Sequence, residues 1–317
     1  MSGIRVGVIG VGHLGYHHAR NYASLPGVNL AGIVDTDPGR AGKAADDFGV
    51  PCYGTASELA AAGVDAVSVV VPTTLHHPIA LDLLRAGVDV LVEKPIAANI
   101  AEARELVTVA GQNRRILQVG HIERFNGAVM ALAKTVKEPR FIECHRLSPY
   151  PNRGHDVSVV LDLMIHDLDI VLALAGRDVT SIDAVGVAVF SPSEDIANAR
   201  LRFGSGCVAN LTSSRVAPER MRKIRVFETD AYLSTDYSEQ EVLRYRKKPG
   251  PVPSGVSPME HITVESLPVS REEPLKLEIE SFIRCVKDRT RPLVAGEDGL
   301  AALEIAEQII DFIRRHS

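Results

Sequence analysis

The chain has 317 residues, of which 45% are hydrophobic and 24% charged, enough for about two domains and too apolar for disorder. Its 35 Lys and Arg stand against 40 Asp and Glu, a formal charge of −5, which argues against a general nucleic-acid-binding surface. Four cysteines, Cys52, Cys144, Cys207 and Cys285, lie far apart with no C-x-x-C pair, so a zinc cluster or a disulfide framework is not expected and a reducing, cytoplasmic setting is.

Strand–turn glycines follow Arg5 almost at once, which is not the pattern of a secretory signal. Short Val- and Ile-rich runs at residues 4–10, 29–35, 66–71, 89–93 and 116–120 alternate with helical patterns at 14–25, 40–48, 77–86 and 100–112. Nearly continuous apolar strands separated by helices predict a doubly wound parallel sheet covered on both faces. The longest apolar stretches, such as residues 64–72, fall short of the ~20 residues of a membrane span.

After residue 121 the rhythm changes. One long helix is predicted over 159–175, then alternating runs at 181–190, 197–203, 208–213, 223–228 and 231–235, the period of a large open, mostly antiparallel sheet. A Pro- and Gly-rich loop over 247–258 precedes two closing helices, 275–287 and 299–315, with Asp298 as the cap of the second. The expectation is an α/β protein: a dinucleotide-binding domain over 1–120 and an α+β substrate-binding and oligomerisation domain over 121–317, whose last helix can pack back on the first domain.

Gly10-Val11-Gly12-His13-Leu14-Gly15 fits G-x-G-x-x-G at a strand-to-helix turn. The first glycine permits the turn, the second lets backbone approach a pyrophosphate, and the third allows close packing of helix on strand. The N–H groups at the helix start then face the phosphates. Asp35 ends the second strand, 20 residues past Gly15, where a carboxylate holds the ribose hydroxyls and repels a 2′-phosphate. NAD is therefore the expected cofactor, although Arg40 is near enough to blur the preference.

Other strand ends add chemistry. Val71-Pro72-Thr73 with His76 places Thr73 along the cofactor; His76 is a further contact or a surface or capping histidine, and its neighbour His77 does not make a metal pair. Glu93-Lys94-Pro95 ends another strand, where Lys94 either polarises a substrate oxygen or is a solvated lysine ahead of a helix. In residues 120–126 (GHIERFN), Arg124 offers a clamp for a phosphate or an ion pair to Glu123, and Asn126 a further polar contact. Arg153, in the run 149–156, is a second candidate anion partner, with Asp156 as its alternative neighbour. Asp162 and His166 lie four apart on the predicted helix, either a carboxylate-oriented general base or a structural salt bridge, with Asp167 and Asp169 nearby. No third ligand accompanies them at helical spacing, and no metal is expected.

Taken in order, GVGHLG, Asp35, VPTTLHH, EKP and the D-x-x-x-H helix resemble the Gfo/Idh/MocA family of nicotinamide-dependent sugar and polyol dehydrogenases over essentially the whole chain. The resemblance implies a Rossmann domain followed by a substrate domain, with Lys94, Asp162 and His166 around the oxidised sugar carbon. The cofactor contacts it implies are Gly10, Gly12, His13, Leu14, Gly15, Asp35, Thr73, His76, Glu93 and Lys94; the substrate contacts are Arg124, Asn126, Arg153, Asp162 and His166. The runs 155–170 and 120–128 are similar to the subgroup that includes UDP-N-acetylglucosamine 3-dehydrogenases, which supply the 3-keto sugar for amide-linked lipid A, part of lipopolysaccharide biosynthesis. Gly127 departs from the proline common in that subgroup. The alternatives are a free-polyol dehydrogenase of the inositol or glucose type and a non-catalytic NAD-binding regulator. The expected partners are a small-molecule substrate and further copies of the chain, as a homodimer or homotetramer.

Overall fold

The structure, a computed structural model, describes residues 3–150, 157–251, 254–255 and 257–316. The chain divides into two compact units, Met1–Ile122 with Glu273–Leu303, and Glu123–Glu272 with Glu304–Ser317. Among the described residues, no helix is long and apolar enough to cross a membrane.

The first unit alternates β1 (Ile4–Ile9), α1 (His13–Ser24), β2 (Val28–Val34), α2 (Pro38–Phe48), β3 (Cys52–Tyr53), α3 (Ala56–Ala61), β4 (Ala66–Val69), α4 (His76–Arg85), β5 (Asp89–Glu93), α5 (Ile100–Gln112) and β6 (Leu117–Gly120). The strands form one parallel sheet in the order β3-β2-β1-β4-β5-β6. This is the doubly wound dinucleotide-binding order, with its switch point between β1 and β4. Val6, Val8, Val67 and Val90 are fully buried, each worth about 1.5–3 kcal/mol of burial, and the core continues through Ala19 and Tyr22 of α1.

The second unit holds α6 (Gly127–Thr135), β7 (Phe141–Leu147), α7 (Ile165–Ala175), β8 (Val179–Val187), β9 (Ile196–Phe203), β10 (Val208–Ser214), β11 (Met221–Phe227), β12 (Ala231–Asp236), β13 (Glu241–Lys247) and β14 (Ile262–Ser266). Its eight strands run β14-β13-β12-β11-β7-β10-β9-β8. β10 is parallel to β7, and the other pairings among the described residues are antiparallel. Alternation sets Ile142, Cys144, Ala199 and Leu201 inward, on a sheet against which α6 and α7 pack.

Two helices close the chain. α8 (Pro274–Asp288) belongs to the first unit, where Ile279 and Phe282 join the core, and α9 (Gly296–His316) begins in the first unit and ends in the second. Asp298 lies inside the first turn of α9, accepting from Ala295 N at 2.8 Å, rather than standing before the helix. The predicted helix over 159–175 opens with a π-helical turn, Val160–Met164, and becomes α-helical only at Ile165. Hydrophobic spacing is blind to this wider turn, because the same residues stay buried. Strands β3, β7, β13 and β14 and helices α3 and α6 are additional to the elements predicted from the sequence.

Candidate active site

The glycine turn has three distinct environments. Gly10 has φ +84° and a Cβ there would collide with Val70 O; a Cβ at Gly15 would collide with Gly10 O. At Gly12 a Cβ would meet nothing within 4 Å, so backbone is open to an approaching ligand. Gly12 is the N-cap of α1 and no side chain caps it, nor is there an acidic residue in the first turn that carries His13, Leu14 and Gly15. An uncapped helix start beside an open glycine fits a diphosphate, which would take the N–H groups and the positive end of the helix dipole.

Asp35 follows β2. Its carboxylate accepts from Val11 N and Asp37 N, each at 2.8 Å, and from Arg40 Nη2 at 2.9 Å. Burial pushes its pKa up, but Arg40 and the two amides outweigh burial and leave it below the usual carboxylate value. The side chain therefore ties the glycine turn to the end of β2 and stays ionised there.

Thr73 opens a short 3₁₀ turn after β4. His76, three residues on, is not a surface side chain: it is 1% exposed, with Nδ1 2.8 Å from Pro95 O and Nε2 2.9 Å from Val71 O. A neutral imidazole donates only one of these bonds at a time, and burial holds its pKa below the ordinary value. His76 thus stitches the Val71 turn to the turn after β5. Lys94 sits there, half-buried, joined to Pro95 by a cis peptide bond, with its backbone N–H 3.3 Å from Glu93 Oε2. Glu93 itself is buried against His18, Nε2 to Oε1 3.3 Å.

In the second unit Asp162 lies within the π turn and His166 in the first turn of α7, both half-buried. π turns are frequent at functional sites. The helix around them is locked from below. Arg146, on β7 and 3% exposed, makes a two-pronged bond to Asp167 with both distances 3.0 Å, and also donates to Glu123 Oε1 at 2.9 Å. Arg124 donates to Asp169 at 3.3 Å rather than pairing with Glu123. Asn126 is the N-cap of α6, accepting from Ala128 N at 3.0 Å and donating to Tyr237 O at 3.2 Å. Gly127 is required by close approach, since a Cβ there would collide with Ser270 O. Arg153 and Asp156 lie outside the described residues.

Sequence reasoning missed Arg146, Arg215 and Asp195, all buried charged residues of the second unit. The signal that was available is an arginine at an inward position of an alternating strand, as Arg146 is in FIECHRL.

An open glycine turn at a helix start, a carboxylate at the end of the second strand and the strand order around them define a dinucleotide-binding unit. Two family models match the chain: the oxidoreductase family NAD-binding Rossmann fold over residues 4–121 and the GFO/IDH/MocA C-terminal domain over 130–234. Among the curated proteins, UDP-N-acetylglucosamine 3-dehydrogenase of Acidithiobacillus ferrooxidans is 36% identical over 99% of this chain and 100% of its own. The scyllo-inositol 2-dehydrogenase (NAD(+)) of Bacillus subtilis is 26% identical over 95% of this chain and 92% of its own. A solved structure of the Acidithiobacillus enzyme superposes with a TM-score of 0.91 at 34% identity, covering 99% of each chain. This chain belongs to the Gfo/Idh/MocA family of oxidoreductases, and its cofactor is NAD.

Proposed function

We propose that the protein oxidises a secondary hydroxyl of a nucleotide sugar to a ketone, with UDP-N-acetylglucosamine at C3 as substrate and UDP-3-keto-N-acetylglucosamine as product. The observation that carries this reading is the full-length similarity to the Acidithiobacillus enzyme at 36% identity. A 3-keto nucleotide sugar is suited to amination, so the reading places the enzyme before an aminotransferase in amide-linked lipid A synthesis, a cytoplasmic reaction.

In the proposed mechanism His166 accepts the hydroxyl proton as the carbonyl forms. Asp162, four residues before it, orients the imidazole. Lys94 donates to the oxygen while negative charge develops on it. Gly10, Gly12, His13, Leu14 and Gly15 hold the diphosphate of NAD, Asp35 the ribose, and Thr73, His76 and Glu93 shape the turns beside it. NAD supplies the hydride acceptor. Arg124, steadied by Asp169, and Arg153 are the proposed partners of the substrate diphosphate.

Inositol dehydrogenases among the relatives, such as the Bacillus enzyme at 26% identity, favour a second reading, oxidation of a free polyol. The two readings differ in what grips the substrate. Under the first, uridine diphosphate alone binds the NAD-loaded enzyme in calorimetry. No detectable heat, together with turnover of free inositol or glucose, would contradict it and establish the second.

Asp35 leads to a further expected result. Its ionised carboxylate disfavours a 2′-phosphate, so NADH binds more tightly than NADPH in fluorescence titrations. Asp35→Ala removes the carboxylate that Arg40 bonds at 2.9 Å, leaving Asp37 at 3.6 Å, and narrows or inverts that preference. Equal affinity of the unaltered protein for both cofactors would contradict this.

We further propose a homodimer or homotetramer joined through the second unit's sheet. Supporting it, Phe227, Tyr232 and Tyr245 stack across β11, β12 and β13 with centroid separations of 4.6 and 5.0 Å, and Phe141 on β7 lies tilted against Phe227 at 5.6 Å. The row ends at Val264 on β14, which is 57% exposed and paired with Tyr245.

A further inference from the structure

Directly under the turn that carries Lys94 lies a buried titratable cluster drawn from three elements of the first unit. His18 comes from α1, Glu93 from the end of β5 and Glu278 from α8; they are 0%, 9% and 0% exposed. One nitrogen or oxygen of each lies within 4.8 Å of the others. His18 Nδ1 is 3.2 Å from Ser68 Oγ, which also meets the Tyr22 hydroxyl at 2.7 Å. The amide of Gln118 donates to the backbone carbonyl of Glu278 at 3.2 Å. Gly120 on β6 completes the cradle: a Cβ there would fall 2.8 Å from the Glu93 carboxylate.

Polar groups buried this deeply are costly unless they are held by one another or by the surrounding backbone. Such a cluster is a clamp. His18 Nε2 lies 3.3 Å from one oxygen of Glu93, while the other accepts from the backbone N–H of Lys94. α1 is also the helix whose start faces the proposed diphosphate, so the cofactor's helix and the lysine's strand are fastened to each other through His18.

We propose that His18 is a positioning residue for Lys94, acting through Glu93. This rests on the reading that Lys94 acts on the substrate oxygen. Displacing a reacting group by about 1 Å costs on the order of 100-fold in rate, which sets the size of the effect.

The test compares His18→Leu, His18→Gln, Gly120→Ala and Lys94→Ala for kcat, NAD affinity and metal content. His18→Leu is expected to lose about 10- to 100-fold in kcat, with NAD affinity within about twofold, a split that general loosening would not give. His18→Gln, which keeps a donor toward Glu93, recovers most of that loss. Gly120→Ala presses on the same carboxylate from β6 with the three titratable groups intact; it reproduces the loss and serves if His18→Leu does not fold. Wild-type kcat in His18→Leu and Gly120→Ala, beside an inactive Lys94→Ala, overturns the positioning role alone. Parallel falls in kcat and NAD affinity overturn it too, as does a stoichiometric transition metal that departs with His18→Leu. Wild-type kcat in Lys94→Ala instead overturns the catalytic reading beneath it.

Discussion

His166→Ala and Lys94→Ala each retain NAD binding and lose about 100- to 1,000-fold of turnover, the usual cost of removing a general base or an oxyanion donor. The chemistry of the two positions underlies the expectation. Lys94 leaves β5 at the carboxyl edge of the parallel sheet, the edge at which ligands of such sheets bind. His166 sits where the π turn passes into α7, on a helix whose next residue, Asp167, is gripped by Arg146. Substituting His166 removes the proposed proton acceptor without touching that grip. Asp162→Asn costs less than His166→Ala, because it disorients the base without deleting it. Steady-state kinetics with parallel NADH titrations checks all three. Near-normal kcat in His166→Ala would make the Asp162–His166 pair a structural bridge and leave Lys94 as the base.

Asp195→Ala destabilises the protein by about 3–5 kcal/mol, the range for breaking a buried ion pair on one side. Both Asp195 and Arg215 are fully buried, with Arg215 Nε 2.8 Å from Asp195 Oδ1. The second oxygen accepts from the backbone N–H groups of Val189, Phe190 and Ser191. Removing the carboxylate strands a guanidinium and three amides at once. Burial would raise the Asp195 pKa, but Ser191, Phe190 and Arg215 outweigh it and hold it well below the usual carboxylate value. The sign follows: a depressed folded pKa gives stability that is present above the unfolded carboxylate value of about 3.9 and is lost as pH falls toward the folded one. Thermal melts of wild type therefore drop below about pH 4, and the drop is shallower in Asp195→Ala. The pair also anchors the segment leading to Asp162, since Arg215 Nη1 donates to Val157 O at 2.7 Å and Val159 N to Glu194 O at 3.0 Å. An Asp195→Ala protein as stable as wild type would contradict this account of the pair.

The dinucleotide-binding half was legible because its signals are local. The glycine turn, Asp35 and Lys94 all fall at the carboxyl ends of apolar runs, and strand order follows from the chirality of the crossovers. The second half was less legible because its constraints are long-range. β7 alternates as a strand should, yet Glu143 and Arg146 give it the look of a charged surface segment, when Arg146 is in fact buried against Asp167 and Glu123. The polar run around residue 124 leaves its partners open for a related reason: hydrogen-bonding residues in one connection look alike whether they face a ligand or the protein. Asn126 had a recoverable signal, standing directly ahead of Gly127-Ala-Val-Met as a helix cap does. The pairing of Arg124 with Asp169, 45 residues away, had none.

NADH formation from UDP-N-acetylglucosamine, with the product identified by mass and by the position of its ketone, tests the central claim most directly. The account predicts that this nucleotide sugar reduces NAD to NADH and yields the 3-keto product, while myo-inositol and glucose support little or no reduction. Efficient NAD reduction by a free polyol, with UDP-N-acetylglucosamine inert, would contradict it.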